Sequence, residues 1–506
     1  MIRESNSSGI RVSELEIVRL RAQRGPNYWR LAPVIACDIR LGGLEPLTSA
    51  DLPGFTERLL AAIPSLHGHP CSRGRAGGFV ERLKEGTGWP HVLEHVSLEL
   101  QTLVGADVEF GRVVPSPDGA SWSVIVGYEQ EEVGLESIRR GVDLIRACLG
   151  GEPIDGGALL SGLRDIHDQV RLGPSTAVIV EEARRRGIPV RRLGTGSMVQ
   201  LGLGCYLRRI RATATDATSI IAADIAQDKD ITKQVLRNIG LAVPVGAVAR
   251  SVERAIEIAG EIGYPVILKP LAGNQGRGIS LRLDDEAAVR AAWTGGAERY
   301  GAMVVERHVD GRDHRVLVVN GRVVAVAERV AAHVTGDGSR TVRELIEEVN
   351  RDPRRGAGHA NLLTAIPVDE GTEEFLAAGG RTLESVPAAD ERVFLRPTAN
   401  LSTGGTSIDR TDDIHPDNVT ACEMAAGVIG LDIAGLDILT GDISVPFKQN
   451  DAVIIEVNAV PGIRMHTHPA AGRPRNVGGA ILDMLFPDGA RATIPVIAVT
   501  GTNGKT

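Results

Sequence analysis

The sequence predicts a multidomain protein of mixed α+β and α/β character, and three observations carry that prediction. The chain has 506 residues, enough for roughly three domains. Hydrophobic residues make up 43% and charged residues 24%, as in a globular chain with an ordinary core. From about residue 161 onward, helical patterns alternate with short β-branched strands, as in "RAIEIAGEIGYPVILKPL".

Taken in order, residues 1–160 read as a small α+β domain. "LEIVRLRAQRGPNYWRLAPVIACDIRLG" gives strands around a Gly-Pro-Asn turn. "DLPGFTERLLAAIP" gives a helix, with Asp51 as N-cap and Pro53 in its first turn. "HVLEHVSLELQTLVG" is an amphipathic helix: Val92, Val96 and Leu100 recur at spacing four, and Gly105 closes it. "SWSVIVGY" is a strand, "EEVGLESIRRGVDLIRACLGG" a helix, and "GGEPIDGG" at 150–157 a linker. Residues 161–488 form the second, larger unit, in which "RDPRRGAGHANLL" at 351–363 is an exposed charged loop. Residues 489–506 read as a linker, a strand and the start of a phosphate loop.

Composition excludes several classes. The net charge is −8 and no dense basic block occurs, so nucleic-acid binding by bulk charge is not expected. The five cysteines are scattered without a C-x-x-C pair, which fits a reducing compartment rather than a disulfide framework. The first residues are polar, and no run of about 18 apolar residues exists. A cytoplasmic protein without a membrane span is therefore expected.

Three constellations carry chemistry. In "YPVILKPLAGNQGRGISL" a strand delivers Lys269, then a loop carries Gly273, Gly276 and Gly278. Glycines let backbone N–H groups approach phosphate oxygens, and the lysine adds a point charge. In "MVVERHVDGRDHRVLVV" a strand ends at Glu306, and Val309 and Asp313 follow; such a strand end can line an adenine pocket. In "AGLDILTGDISVPFKQNDAVIIEVNAVPG" one strand presents Asp437 and another Glu456 and Asn458, which share a face. Two carboxylates and an amide oxygen are hard ligands suited to Mg²⁺.

A further pattern lies in the first domain. "HVLEH" places His91 and His95 one helical turn apart, with Glu94 between them. That spacing could bind Zn²⁺ with Glu94 as general base. Glu99 is a candidate third ligand, His67 and His69 are alternatives from a loop, and Cys71 could also ligate.

The order of a lysine, a glycine-rich loop, a strand glutamate, then Asp and Glu-x-Asn resembles the ATP-grasp fold. That resemblance implies ATP clamped between two lobes, with Lys229 and Lys269 on its phosphates and loop 273–280 as a cover. It also implies Glu306, Val309 and Asp313 near adenine and ribose, and Mg²⁺ on Asp437, Glu456 and Asn458. Arg396 and Asn400, in "LRPTANLSTGGTSIDR", match the acyl-phosphate stretch, and Arg464 is placed with them as catalytic. Longer strings, "NRDPRRGAGH", "ANLSTGGTSIDRTDDIHP", "EVNAVPGIRMH", "RNVGGAILDMLFP" and "HPCSRGRAGGFVERL", resemble the cyanophycin synthetase family from about residue 30 to the end.

The family resemblance implies a cytoplasmic homo-oligomer, without nucleic-acid or membrane partners, that adds L-aspartate to the backbone carboxylate of cyanophycin through an acyl phosphate. It also makes "GTNGKT" the phosphate loop of a truncated Mur-ligase-like domain, with Gly501 and Gly504 shaping the turn, Lys505 on phosphate and Thr506 on Mg²⁺. Two alternatives stand beside it: a glutathione-synthetase-like ligase, or a protein that binds or trims the polymer through the His91–His95 helix.

Overall fold

A computed structural model describes residues 15–116, 119–152, 154–271, 278–356, 361–487 and 491–497, with backbone alone for 295–300. The first domain runs β1 (Glu16–Gln23), β2 (Val34–Arg40), α1 (Phe55–Ala62), α2 (Gly78–Glu85), α3 (Trp89–Leu103), β3 (Gly111–Pro115), β4 (Trp122–Gly127) and α4 (Glu131–Gly150). Its antiparallel sheet has the order β1-β2-β4-β3. The period of two is plain in β2. Ile35, Cys37 and Ile39 share the main core with Val92, Val96, Ile138 and Val142, while Val34 and Ala36 pack with Trp29 and Phe110.

Asp51 does not start α1. It closes a capping box one turn earlier, where the Thr48 backbone N–H donates to Asp51 Oδ2 at 2.8 Å. Pro53 disfavours helical backbone at Leu52, so α1 begins after Gly54, which sits in the left-handed region. The Gly-rich 150–157 stretch leads directly into α5 (Gly156–Val170), capped by Asp155. Leu163 of α5 is still part of the first core.

The chain continues through α6 (Pro174–Arg185) and the meander β5 (Val190–Arg192), β6 (Met198–Leu201), β7 (Arg208–Arg211) and β8 (Ala214–Thr215). Helices α7 (Ile220–Gln227) and α8 (Lys229–Asn238) follow. A first lobe holds β9 (Gly246–Ala249), α9 (Val252–Ile262), β10 (Val266–Pro270), β11 (Ser280–Leu283), α10 (Glu286–Tyr300) and β12 (Met303–Arg307), in sheet order β11-β10-β12-β9. Val266, Leu268, Met303 and Val305 pack against Ala255, Ile258 and Val289 of the helices. The opposite face is left for polar groups.

The second lobe begins with β13 (Arg312–Val319) and β14 (Arg322–Val330). An excursion with its own core around Val334, Ile346, Leu376 and Leu395 contains β15 (His333–Thr335), α11 (Val342–Asn350), β16 (Arg355–Gly356), β17 (Leu363–Thr364), α12 (Glu370–Ala378) and β18 (Arg392–Phe394). Then come β19 (Thr406–Asp409), α13 (Pro416–Ile429), β20 (Ile433–Thr440), β21 (Val453–Asn458), α14 (Arg464–Thr467) and α15 (Val477–Leu485). The five-stranded sheet has the order β19-β14-β13-β20-β21. One face, with Val316, Val318, Val326, Leu436 and Ile438, packs on α13, α7 and α8.

Although helices and strands alternate along the chain, neighbouring strands of both lobe sheets are antiparallel. The reason is insertion: β9 and β10 both run against β12, which separates them, so the crossover through α9 joins parallel strands that never touch. The loop read at 351–363 is partly structured, since Arg355–Gly356 pairs with Leu363–Thr364 and Leu363 is buried. Residues 357–360 lie outside the described residues. Residues 491–497 form no strand; an extended run becomes one only with a neighbour to bond its backbone. The remainder of the expected third unit, 498–506, lies outside the described residues, as do 488–490. Among the described residues, no helix is long and apolar enough to cross a membrane.

Candidate active site

The polar face of the first lobe carries a buried charge cage. Glu306 on β12 is opposite Ile267, so Lys269 of β10 is its diagonal neighbour on the same face. Glu306 is 1% exposed and Lys269 6%. Lys269 Nζ stands 2.7 Å from Glu306 Oε2. Lys233, from α8, donates to the other oxygen, Oε1. Gly246 lies opposite Glu306 on β9, where a Cβ would meet Val305 O at 2.1 Å and Glu306 Cγ at 2.7 Å. Only glycine fits.

One carboxylate therefore serves two buried lysines. Burial, with Lys233 and Lys229 nearby, pushes Lys269 down to about 6. Burial also pushes Lys233 down to about 8. With both lysines charged the cage is short of negative charge, and a polyphosphate would supply it. Lys229, the first residue of α8, stays with the second lobe on which that helix packs, with Nζ 3.8 Å from Glu456 Oε1.

The second lobe's sheet has a matching polar face, which follows from register. Arg315 on β13 pairs with Asp437 on β20, and Asp437 with Glu456 on β21; Asp313 pairs with Arg329 on β14, and Arg329 with Ser407 on β19. Asp437 is buried: Arg315 Nε donates to its Oδ1, and Arg329 Nη2 lies 3.1 Å from its Oδ2. Burial alone would raise its carboxyl, but Arg315 and Arg329 hold it below the usual carboxylate range. Asn458 Nδ2 donates to Gly435 O at 3.2 Å, which leaves its carbonyl oxygen as the atom for a ligand. Asp437, Glu456 and Asn458 thus present an oxygen set that fits Mg²⁺, next to a cation cage that fits phosphate. A carboxylate can accept from arginines and still offer lone pairs to a metal.

The remaining expected residues are placed as follows. Val309 is half-buried in the 308–311 connection between the lobes, where the His308 backbone N–H donates to Pro265 O at 2.9 Å. Asp313 is occupied by Arg329, whose Nη2 lies 2.6 Å from Oδ1, so it reaches Asp437 through that arginine. Gly278 has φ +73°, in the left-handed region. Gly273, Gly276, Gly504, Lys505 and Thr506 lie outside the described residues. Arg396 is paired with Asp369 of the excursion. Asn400 precedes a 3₁₀ turn and donates from Nδ2 to Thr398 Oγ1 at 3.3 Å. Arg464 donates from Nη1 to Asn361 O at 2.5 Å and from Nη2 to Thr364 Oγ1 at 3.3 Å. Lys233, Arg315 and Arg329 were missed from sequence. The one available signal was K-x-x-x-K at 229 and 233, a single helical turn.

The first domain holds a separate cluster. His91 and His95 share a face of α3, with their Nε2 atoms 3.0 Å apart. Cys71 Sγ lies 3.4 Å from His91 Nε2, and these three side chains offer ligand atoms within 4.8 Å of one another. Thr87 Oγ1 holds His91 Nδ1 at 2.8 Å, and His69 bridges His95 Nδ1 at 2.8 Å to Glu99 Oε2 at 2.7 Å. Burial pushes His91 down to about 4 and His95 to about 3, keeping both in the neutral form a metal takes. Cys71 has φ +55°, uncommon for a residue with a Cβ.

Glu94 does not join the cluster. One residue along a helix is about 100°, so its carboxyl turns to β3, where a Cβ on Gly111 would meet Glu94 Oε1 at 2.2 Å. Burial pushes it up to about 7. His67 is exposed and stays out as well.

Known proteins resemble this chain in sequence and in fold. Residues 36–150 match a cyanophycin synthase-like N-terminal domain, and residues 226–338 a RimK-like ATP-grasp domain. The cyanophycin synthetase of Nostoc sp. is 47% identical over 97% of this chain and 55% of its own length. That of Synechocystis sp. is 47% identical over 97% of this chain and 57% of its own. The chain spans little more than half the length of these relatives. A bifunctional glutathione synthetase from Pasteurella multocida superposes with a TM-score of 0.53 over 90% of this chain and 82% of that one, at 19% identity, a likeness of fold. The chain is a relative of the cyanophycin synthetases that contains their N-terminal domain and an ATP-grasp ligase fold.

Proposed function

We propose that this relative of the cyanophycin synthetases is an ATP-dependent carboxylate–amine ligase that adds L-aspartate to the C-terminal backbone carboxylate of cyanophycin. The observation that carries the reading is the meeting of two charge sets across one cleft. Lys269 and Glu306 stand on the first lobe, Asp437, Glu456 and Asn458 on the second, and α8, packed on the second lobe, sends Lys233 to Glu306 and Lys229 to within 3.8 Å of Glu456.

In this reading Lys229, Lys233 and Lys269 bind the nucleotide phosphates and orient the γ-phosphoryl group toward the acid substrate. The phosphoryl group passes to the substrate carboxylate, giving ADP and an acyl phosphate; the amine then attacks the acyl carbon and phosphate leaves. Arg315 and Arg329 keep Asp437 ionised and fixed in place. Asp437, Glu456 and Asn458 would hold Mg²⁺, which when bound neutralises charge on the transferring phosphoryl oxygens. Arg396, Asn400 and Arg464 are assigned to the acid-substrate side.

ADP release measured with each amino acid, with and without primer, tests this. Turnover that needs aspartate and a cyanophycin primer supports it. Turnover with γ-glutamylcysteine and glycine would favour a glutathione-synthetase-like ligase instead.

A second reading rests on Cys71, His91 and His95, which would hold Zn²⁺ in the first domain, with His69 and Glu99 behind them. Polymer trimming there would need a base other than Glu94. Zinc content of the purified chain, compared with a His91→Ala variant, tests the metal.

A further inference from the structure

In the second lobe, buried or half-buried arginines have carboxylate partners: Arg315 and Arg329 share Asp437, Arg396 has Asp369, Arg410 has Glu328 and Arg475 has Asp409. Arg355 and Arg464 are different. Both are half-buried, and among the described residues neither has a carboxylate at ion-pair distance. Burial pushes both guanidinium groups down; Asp352 opposes this at Arg355 only in part, with Arg354 acting against it, and no acidic group opposes it at Arg464.

Their neutral partners lie on one short segment. Arg355 Nη1 donates to Thr364 O at 2.6 Å, and Arg464 Nη2 to Thr364 Oγ1 at 3.3 Å. Arg355 also donates to Gly404 O at 3.2 Å, in the stretch that runs from Asn400 to Ser407 on the polar sheet face. Arg464 follows the Glu456–Asn458 strand by a single loop. Two charged groups thus converge on Thr364 from either end of the expected acid-substrate region.

A cavity of about 450 Å³ opens beside Arg355, lined also by Arg351, Arg354, Leu363, Thr406 and Ala470. It contains Glu348 and Asp352, but each is taken. Arg351 Nη1 donates to Glu348 at 2.6 Å, and Arg354 Nη2 to Asp352 at 2.7 Å. Three arginines against two carboxylates leave one positive charge over, on Arg355. Burying an uncompensated charge is costly, and a bidentate carboxylate would relieve it.

We propose that Arg355 and Arg464, which meet at Thr364, are the specificity residues that receive the carboxylates of the acid substrates. The inference rests on the ligase reading. The shared chemistry is a carboxylate, from the incoming acidic amino acid or from the acceptor chain.

The test is steady-state ADP release by the full chain and its Arg355→Gln, Arg355→Lys and Arg464→Gln variants, titrating aspartate and primer separately. A non-hydrolysable ATP analogue is titrated alongside. The expected result is a KM for aspartate or primer raised about ten- to hundred-fold in the glutamine variants, the loss of one charge-assisted bond. Arg355→Lys keeps the charge and recovers part of the loss. ATP-analogue affinity stays within about twofold, since neither residue touches the cage. A rise for aspartate alone assigns the amino acid; a rise for primer alone assigns the chain.

Unchanged KM values with a lowered melting temperature would make both arginines mere ties for β17 and overturn the inference. So would a change confined to ATP-analogue affinity. Where a glutamine variant does not fold, Arg355→Lys alone gives the comparison, since it keeps the charge but loses the bidentate fork and should still raise KM. Wild-type chain that releases no ADP with any carboxylate substrate overturns the ligase reading itself, a result distinct from active enzyme with unmoved KM values.

Discussion

The lysine cage makes a quantitative prediction about pH. Lys269 is pushed down to about 6 because burial and two neighbouring lysines oppose its charge. A phosphate needs that charge. At pH 7.5 the free protein would have to protonate Lys269 against about 1.5 pH units, which at 1.36 kcal/mol per unit is about 2 kcal/mol. Nucleotide binding should therefore take up a proton, and the Kd for an ATP analogue should rise by up to about tenfold per pH unit between pH 6 and 8. The sign is fixed: binding is tightest below the depressed value and weakens as pH climbs through it.

Isothermal titration in two buffers of different ionisation enthalpy reads the proton directly; close to one proton taken up at pH 7.5 is expected. Lys233→Met leaves Glu306 wholly to Lys269, so its charge is restored and proton uptake should fall toward zero. A wild-type Kd that is flat from pH 6 to 8 without buffer-dependent heat would refute the account of the cage.

Three other perturbations follow from named contacts. Asp437→Asn should abolish ATP turnover and lower stability by about 3–5 kcal/mol, because Arg315 and Arg329 would be left buried without their carboxylate; denaturant melts and ADP release check both parts. Gly246→Ala should cost about 1–3 kcal/mol and weaken nucleotide binding, since its Cβ would press on Val305 O and Glu306 Cγ, as read by melting and analogue titration. Cys71→Ala or His95→Ala should reduce bound zinc in metal analysis, whereas Glu94→Ala should leave zinc content unchanged because its carboxyl faces Gly111.

Strand chemistry was the most legible part of the sequence. Asp437, Glu456 and Asn458 could be placed on facing strands because the side-chain period of a strand is two, and the register puts Asp437 opposite Glu456. Lys269 was singled out by the glycine-rich loop after it and Glu306 for an adenine pocket, but their direct pairing was not legible: it depends on which strands adjoin, and β12 inserts between β9 and β10. The helix pattern H-x-x-E-H was half legible. His91 and His95 meet, but a neighbouring position is turned by about 100°, and tertiary packing sent Glu94 to β3. Arg315, Arg329 and Lys233 were hidden because a charged residue inside an otherwise apolar run carries no local mark of its partner. Lys233 acquires its role only when α8, packed on the second lobe, meets Glu306 of the first.

The half-exposed pair of Lys229 and Glu456 shows how the site can stay balanced with and without its ligand. Lys229 Nζ is 3.8 Å from Glu456 Oε1, a cation from the phosphate side set against a ligand from the metal side. At that separation and partial exposure the pair is worth little, so parting it costs little. A magnesium nucleotide would offer Lys229 a phosphate and Glu456 a metal, replacing one weak attraction by two stronger ones. The buried pairs behave differently: Glu306 with its two lysines, and Asp437 with its two arginines, are too desolvated to separate and remain the fixed walls. The exchangeable contact is thus the exposed one, and the contacts that hold geometry are the buried ones, which is the arrangement a site needs if it is to admit a polyanion without rebuilding itself.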